Sequence, residues 1–321
     1  REGNMTILVT GAGGYVGNNT VRRLVEMGKP VRAMVHSAEK AQKRLGDVAG
    51  KIEIVAGDVT DRASLDRAMQ GVSAVIHLVA IALEKGGATY EAINYQGTVN
   101  VVGAAEAAGV RRFINMSQNG ADSSLPYRFL KSKGQAQEHV AASKLRWTAV
   151  RPSVIFGPQD EFFNSIARLV KLTPVIFPLI GGGKAEFQPV SIYDVVEAIV
   201  RSLDDEKTIS REFELGGPEI LTMVEIERRI LQALGTRRLL FNAPVWLLRA
   251  PVFVMEKTLP GTPVTTSLLE MLAVRNVVQD NALTSYFNLS PRPFSGDHIA
   301  YLRDNTVGGA LRRLFTGATI N

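Results

Sequence analysis

The sequence contains no cysteine, and it has only four histidines and two tryptophans among 321 residues. The absence of cysteine excludes disulfide bonds, thiolate metal sites and cysteine nucleophiles. No two histidines have the spacing of a metal-binding pair, so we predict no bound metal. The first apolar run, near residue 7, has the length of a strand rather than of a signal peptide. We therefore expect a cytoplasmic protein, with peripheral attachment to a membrane as an alternative.

Charge of one sign is not concentrated in long runs. The chain has 37 Lys and Arg against 31 Asp and Glu, a net charge of +6, without a basic stripe interleaved with aromatic residues. A nucleic-acid partner is therefore not expected. An apolar fraction of 45% and a charged fraction of 21% are typical of a globular protein. The length allows one large or two modest domains.

A glycine-rich stretch near the start organises the chain. It follows the apolar run Ile7-Leu8-Val9 and precedes Val21, Leu24 and Val25, which have helical spacing. Strand, glycine turn and helix in this order favour a dinucleotide-binding turn, although an ordinary turn is the structural alternative. Gly11 would make the tight turn, Gly14 would let a diphosphate approach, and Gly17 would let the helix pack on the strand. The residues of the predicted phosphate site are Gly11, Ala12, Gly13, Gly14, Tyr15, Val16 and Gly17.

The end of the second predicted strand, Val35-His36-Ser37, has no carboxylate to bind a ribose 2′-hydroxyl. The side chains nearby would instead suit a 2′-phosphate: Arg32, His36, Ser37, Lys40 and Lys43. NADP(H) is therefore favoured over NAD(H), unless the lysines merely line a solvent-facing helix. Asp58, which ends the third strand, would accept the adenine amino group. Alternatively, Thr60 or Asp61 simply caps the next helix.

Strands separated by helical segments recur as far as Pro152, which predicts an α/β fold with a doubly wound parallel sheet. His77 lies within the fourth strand, where a hydrogen-bonded core imidazole is favoured over a catalytic one. We predict a cofactor domain over residues 5–156, completed by a return segment over 187–203. A smaller α/β lid domain would comprise 157–186 and 204–321, and a small-molecule substrate would bind between the two domains.

The stretch from Leu239 to Met255 is strongly apolar but is interrupted by Pro244, Arg249 and Pro251. It is too short to span a membrane. We predict a pair of helices buried in the lid domain or in a subunit contact. The alternative is contact with an anionic lipid or a quinone tail, since Arg237 and Arg238 precede the stretch.

Several motifs together resemble the extended and atypical branch of the short-chain dehydrogenase/reductase superfamily. They are Thr10 to Gly17, Gly57-Asp58-Val59, Asn94-Tyr95-Gln96-Gly97-Thr98, Ser132-Lys133-Gly134, Arg151-Pro152-Ser153 and Asp194-Val195. Within that branch the chain is most similar to the nucleotide-binding accessory subunit of respiratory complex I and to bacterial epimerase/dehydratase-like relatives. The resemblance implies a homodimer as one assembly. It also implies cofactor contacts beyond the glycine turn, at His36, Ser37, Asp58, Val59, Leu78, Val79, Ala80, Asn94, Lys133, Pro152 and Ser153.

The resemblance further implies a Tyr-x-x-x-Lys helix and a serine after the fifth strand. Lys133 matches the lysine, but Phe129 stands four residues before it. Tyr127 with Lys131 keeps the spacing, shifted by two residues, which rotates the pair by about 200° around the helix.

Two hypotheses follow. In an active oxidoreductase or epimerase, Tyr127 would be the acid/base, Ser117 (or Gln118 in its place) would orient the carbonyl, and Lys133 would hold the ribose. Alternatively, the chain is a non-catalytic NADP(H)-binding structural, assembly or sensor protein.

Overall fold

The computed structural model of this chain describes residues 6–259, 261 and 274–317. These residues group into two compact units. The first, here called the sheet unit, lies within Arg1–Pro152, Ile192–Leu215 and Asp280–Leu289. The second unit lies within Ser153–Ser191, Gly216–Gln279 and Ser290–Asn321. No helix in the described ranges is both long enough and apolar enough to cross a membrane.

The first part of the chain alternates strands and helices. These are β1 Thr6–Thr10, α1 Tyr15–Glu26, β2 Val31–Val35, α2 Ala38–Leu45, β3 Glu53–Ala56, α3 Arg62–Ala68, β4 Val72–His77, α4 Gly97–Ala107, β5 Arg112–Met116, α5 Arg128–Ala142 and β6 Trp147–Pro152. A π-helical turn, Glu91–Gln96, leads directly into α4. The apolar spacing of each segment accounts for the alternation, and Gly28, with φ of +69°, ends the first helical segment.

The second part of the chain is less regular. Its elements are β7 Ile155–Phe156, α6 Phe162–Leu172, β8 Ile176–Ile180, β9 Glu186–Phe187, β10 Val190–Ser191, α7 Ile192–Asp204, β11 Arg211–Leu215, β12 Leu221–Thr222, α8 Met223–Ala233, β13 Leu239–Ala243, α9 Val245–Thr258, α10 Ala282–Ser285 and α11 Val307–Thr316. Short 3-10 helices occupy Gly46–Lys51, Gly181–Gly183, Glu206–Thr208 and Gly296–Asp304. Of these elements, α7, β11 and α10 belong to the sheet unit.

Seven parallel strands form the central sheet, in the order β11-β6-β5-β4-β1-β2-β3. The predicted doubly wound parallel sheet is thus confirmed. The strand order reverses between β1 and β4, because the chain first builds outward through β2 and β3 and then returns. In such sheets, ligands bind at the carboxyl ends of the strands beside this reversal. The residues that follow Thr10 and His77 therefore lie at the edge of the sheet where a ligand is expected.

Apolar packing holds each unit together separately. In the sheet unit, Leu8, Val75 and Phe113 are fully buried among the helices α3, α4 and α5. In the second unit, Phe163 and Phe294 stack with ring centroids 4.4 Å apart, and Phe156 lies 5.2 Å from Phe294. These aromatic contacts give the second unit a core of its own.

Three predictions about the later part of the chain were wrong. The return segment 187–203 contributes α7 but no strand to the main sheet, since β9 and β10 pair with β12 and β7. The additional sheet strand is instead β11, which lies in the range predicted for the lid domain and pairs with β6. The predicted helix pair over 239–255 is a strand, β13, followed by one helix, α9. It is also not uniformly buried, because Trp246 is 75% exposed.

Candidate functional site

The turn between β1 and α1 has the backbone conformation that only glycine adopts easily. Gly11 has φ of +70°, and a Cβ there would lie 3.2 to 3.3 Å from atoms of Leu78 and Val79 at the end of β4. A Cβ on Gly17 would overlap the carbonyl oxygen of Gly11 and lie 2.8 Å from the Cα of Ala12. The turn therefore brings the first turn of α1 against the strand backbone, which a larger residue would prevent.

The same turn presents the amino end of α1 to solvent. Gly14 is exposed and occupies the capping position, so no side chain caps the helix. Within the described residues, the first turn of α1 also contains no acidic side chain. The positive end of the helix dipole is thus not neutralised by the protein, which is the arrangement that binds a phosphate group.

The end of β2 carries an exposed histidine beside a carboxylate. His36 Nδ1 lies 3.5 Å from Asp58 Oδ2, and Asp58 Oδ1 accepts hydrogen bonds of 2.8 Å from both the N–H and the hydroxyl of Thr60. Burial raises the pKa of Asp58, but the Thr60 hydrogen bonds and the nearby His36 outweigh it and hold that pKa below its ordinary value. The helix that follows is capped by Asp61, which accepts from Ala63. Asp58 therefore remains ionised, one carboxylate oxygen fixed by Thr60 and the other facing His36.

The basic residues predicted around the 2′-phosphate separate into two groups. Arg32 lies near the start of β2, where it pairs with Glu53 at 2.7 Å and donates to the carbonyls of Ala68 and Gln70. It is therefore not at the strand end, and the prediction that placed it there was wrong. Ser37 caps α2 by accepting from the Lys40 amide, while Lys43 pairs with Glu39.

Sequence reasoning missed Arg44. Its guanidinium donates to the carbonyl oxygen of Gly13 at 2.8 Å, so an exposed cation lies directly on the glycine turn. A Cβ on Gly13 would lie 4.0 Å from that of Ala41, which shows that α2 packs beside the turn. Arg44 follows Ala41 by three residues and so lies on the same helix face. That spacing was the available signal.

The end of β4 is fixed by a chain of hydrogen bonds through His77. His77 Nδ1 lies 2.8 Å from the Thr10 hydroxyl and Nε2 lies 3.0 Å from the Thr98 hydroxyl. Thr98 donates to a backbone carbonyl and Thr10 accepts from the Leu78 amide, so the imidazole is neutral, with its proton on Nε2. Burial and the Lys133 charge lower the pKa of His77 to about 3. His77 is thus a core group, as predicted, and it joins the strand ends on either side of the sheet reversal.

Residues 78–80 and Asn94 lie on the same edge of the sheet. Leu78 and Val79 contact the glycine turn, while Ala80 is exposed. Asn94 is buried and binds both backbone groups of Ile81, accepting from its N–H at 2.8 Å and donating to its carbonyl at 3.1 Å. Its amide also lies 3.3 Å from the Ser132 hydroxyl. Asn94 therefore positions the chain after β4 against α5.

Val59 has a packing role. It is buried, and a Cβ on Gly97 would lie 2.7 Å from its side chain, so the π-helical turn and α4 pack tightly on it. Val59 thus supports the strand edge without presenting a polar group.

A buried serine and a buried lysine lie where β5 meets α5. Lys133 donates to the carbonyl of Met116 at 2.7 Å, and burial lowers its pKa to about 8. Ser117 is 2% exposed, and its hydroxyl has no hydrogen-bond partner among the described residues. A buried hydroxyl without a partner is costly in a folded protein unless a ligand completes it. A bound dinucleotide would fit both features: it could give this hydroxyl a hydrogen-bond partner and place its phosphates at the glycine turn.

Tyr127 and Phe129, the two candidates for the position of the catalytic tyrosine, differ in their surroundings. Tyr127 precedes α5 and is half-buried, while its partner in spacing, Lys131, is exposed. Phe129 lies one helical turn before the buried Lys133, and its ring packs edge-on against Tyr90 with centroids 5.6 Å apart. The helix face that carries Lys133 therefore carries Phe129 and not Tyr127.

Two further predicted cofactor residues, Pro152 at the end of β6 and Ser153 after it, are engaged with backbone and side-chain groups. The Pro152 carbonyl accepts from the Asn119 amide at 3.0 Å. The Ser153 hydroxyl lies 2.7 Å from Asn276 Oδ1 within the second unit. Over the described residues, no group of three histidine, aspartate or glutamate side chains could hold a metal ion.

Sequence comparisons with known proteins agree with this geometry. The domain family described as NAD(P)H-binding matches residues 11–170. The chain is 29% identical over 315 residues to the mitochondrial NADH dehydrogenase (ubiquinone) 1 alpha subcomplex subunit 9 of Arabidopsis thaliana, covering 94% of this chain and 78% of that relative. It is 27% identical to a 3 beta-hydroxysteroid dehydrogenase/isomerase of Mycobacterium tuberculosis, covering 88% of this chain and 83% of that protein.

A solved structure gives the same fold. A nucleoside-diphosphate-sugar epimerase from Staphylococcus aureus superposes with a TM-score of 0.74 at 17% identity, covering 93% of this chain and all of that one. The sheet order, the glycine turn and the sequence matches all indicate the same family. This chain is an NAD(P)-binding member of the extended branch of the short-chain dehydrogenase/reductase superfamily.

Proposed function

We propose that this protein binds NADP(H) without performing the tyrosine-dependent hydride chemistry of its superfamily. The observation that carries the proposal is Phe129, which occupies the position one turn before Lys133. A phenylalanine ring has no proton to give or take. The relationship to a subunit of NADH dehydrogenase supports a role for the nucleotide in stability or assembly rather than in turnover.

The residues present would divide the cofactor between them. The amino end of α1 and the glycine turn would hold the diphosphate, and Lys133 with Ser117 would hold the nicotinamide ribose. When bound, the nicotinamide supplies a carbon that can give or accept hydride. No side chain on the Lys133 face would then supply the accompanying proton.

The start of α5 is used structurally, which supports the same proposal. Arg128 forms a two-pronged ion pair with Glu84, at 2.7 and 2.8 Å, and Glu84 also accepts from the Tyr90 amide. Together with the contact between Phe129 and Tyr90, this ion pair holds the loop after β4 against the start of α5, where a catalytic tyrosine would lie. Tyr127 stands outside that helix face.

The substitution Phe129→Tyr tests the proposal by restoring the missing group. We expect wild type to show no NADPH oxidation above background with quinones, enones or nucleotide sugars. Phe129→Tyr should raise the rate at least ~10-fold with a substrate of this panel, because positioned acid–base catalysis contributes roughly 10²–10⁴-fold. The double variant Phe129→Tyr/Lys133→Met should return to background, since the lysine lowers the tyrosine pKa. Turnover by wild type that disappears in Tyr127→Phe would contradict the proposal.

The preference for NADP(H) rests on the end of β2 and on Arg44. His36, the Ser37 hydroxyl and the amino end of α2 would face the adenosine ribose, with the Arg44 guanidinium beside Gly13. A phosphate there would gain a charge-assisted hydrogen bond. Asp58 faces His36 and could not by itself bind a ribose diol without losing that contact.

Two substitutions test this preference by isothermal titration. Arg44→Ala should weaken NADPH binding roughly tenfold more than NADH binding, because the 2′-phosphate would add a contact with the guanidinium that NADH cannot make. His36→Asp should reverse the preference by placing a carboxylate at the strand end. Arg32→Ala is the matched control, since Arg32 pairs with Glu53 away from that end. Equal losses for NADPH and NADH in Arg44→Ala would refute the assignment.

A further inference from the structure

The second unit has an outward sheet face made entirely of apolar side chains. β8 and β13 pair in parallel, with Ile176 opposite Leu239 and Pro178 opposite Phe241. Since side chains alternate along a strand, these four share one face. Leu239 is 70% exposed and Ile176 is 53% exposed, whereas Phe177, on the other face, is buried. The pair therefore turns apolar residues towards solvent rather than into the core.

The helix that follows, α9, also turns an apolar face towards solvent. Along α9, Trp246, Ala250, Phe253 and Val254 are all exposed, at the i, i+4, i+7 and i+8 spacing of one helix face. The stripe ends at Lys257, whose ammonium lies 5.7 Å from the centre of the Phe253 ring. A tryptophan at one end and a lysine reaching along the stripe at the other are features of helices that lie in a membrane interface.

The segment that contains β13 and α9 is strongly basic. Between residues 228 and 257 the sequence has six arginines and lysines and one glutamate, which gives this segment +5 of the chain's net +6. Arg228 and Arg237 are exposed, and Arg237 precedes Leu239 of β13 by two residues. Neither guanidinium has a hydrogen-bond or ion-pair partner in the described part of the chain. Clusters of this kind beside an apolar surface favour anionic lipid headgroups.

We propose that the second unit docks on the surface of a membrane that contains anionic lipid, through the outer face of β8 and β13 and the exposed stripe of α9. A second copy of the chain is a poorer occupant, because a symmetric contact would bring two strongly basic segments together. Spanning is excluded for α9 by its length, since 14 residues of helix cover about 21 Å. The helix would lie in the interface instead.

Vesicle sedimentation with the full chain tests the proposal. We expect pelleting with phosphatidylcholine vesicles that contain about 30% phosphatidylglycerol, and little with phosphatidylcholine alone. Raising the salt from about 0.1 M to about 0.5 M should weaken binding, because the arginine attraction is screened. Trp246 gives a second measurement: its emission should shift to shorter wavelength on binding, while the only other tryptophan, Trp147, is already buried.

Three variants locate the surface. Trp246→Glu/Phe253→Glu and Arg228→Glu/Arg237→Glu should each weaken binding to the anionic vesicles roughly tenfold or more. Ile220→Glu, at another exposed apolar residue of the same unit outside these faces, should bind as wild type does. Absence of pelleting and of an emission shift at either salt would overturn the proposal. So would an equal loss in Ile220→Glu, or a dimer that Trp246→Glu/Phe253→Glu abolishes in a protein that does not pellet.

Discussion

The stability of the second unit should fall as the pH rises from about 4.5 to about 8, and Glu227→Gln should remove that fall. Glu227 lies on the buried side of α8, between Ile226 and Ile230, and is 1% exposed. Neither of its carboxylate oxygens has a hydrogen-bond partner within the described ranges. Burial therefore raises the pKa of Glu227 from 4.5 to about 8, because the charged form has lost its water without gaining a partner.

The sign follows from counting protons. Between pH 4.5 and about 8 the folded protein keeps a proton on Glu227 that the unfolded chain releases. The free energy of unfolding therefore decreases by about 1.4 kcal/mol per pH unit across this range, roughly 4 to 5 kcal/mol in all. The contribution of Glu227 is fully present below the pKa of the unfolded chain and is lost once the pH exceeds the folded pKa.

Thermal denaturation at pH 5.5, 7 and 8.5 measures this effect, which below pH 8 corresponds to about one proton released per molecule on unfolding. Glu227→Gln keeps the shape of the protonated side chain, so it should exceed the stability of wild type by only about 1.4 kcal/mol at pH 5.5 and by increasingly more at the two higher pH values. Glu225→Gln is the control on the same helix: Glu225 completes the capping box with Thr222, and glutamine preserves that box. A stability difference between Glu227→Gln and wild type that does not grow with pH would contradict the prediction.

The sequence predicted those features of the fold that are encoded locally. The end of β2 near Val35 and the alternation of strands and helices as far as Pro152 follow directly from short apolar runs. The sheet edge was not predictable in this way. β11 reads Arg-Glu-Phe-Glu-Leu, half exposed, and its partner β6 lies some 60 residues earlier, so no local pattern assigns it to that sheet.

The segment from Leu239 to Met255 shows why short apolar runs are ambiguous. Its residues suit a strand or a helix equally, and an apolar composition alone does not show whether the segment is buried. What decides the strand is the pairing of β13 with β8, a partner more than 60 residues away. The exposure of Trp246 likewise depends on what packs against α9, which composition does not reveal.

At the candidate site, residue types were predictable but their partners were not. The glycines of the first turn could be recognised by spacing, because each answers a backbone requirement that only glycine meets. The basic residues could not be placed by type. Arg32 is satisfied by Glu53 at one end of β2, while Arg44, reached through α2, lies on Gly13. Whether the position of Tyr127 or that of Phe129 corresponds to the catalytic tyrosine stays a prediction, which Phe129→Tyr tests.

Alanine substitutions at two neighbouring glycines should separate folding from nucleotide binding. Gly17→Ala should lower the stability of the nucleotide-free protein by about 3 kcal/mol, because its Cβ would overlap the Gly11 carbonyl and force β1 and α1 apart. The melting temperature should drop by roughly 5–10 °C. Gly14→Ala should leave the fold close to wild type, since its Cβ would meet only the Gly11 oxygen at 3.2 Å and otherwise point into solvent.

The second half of this prediction concerns NADPH. Wild type at about 100 times its dissociation constant should gain roughly 2.7 kcal/mol of stability from the nucleotide, and Gly14→Ala should lose most of that gain because the added methyl would occupy the approach of the diphosphate. Gly13→Ala controls for the general effect of a methyl group in the turn, since its Cβ would lie 3.7 Å from Val35 at ordinary contact distance. If Gly14→Ala kept the full NADPH stabilisation, the diphosphate could not lie at the amino end of α1. If Gly17→Ala had the same melting temperature as wild type, the close approach of α1 to β1 would not be what holds that end of the helix in place.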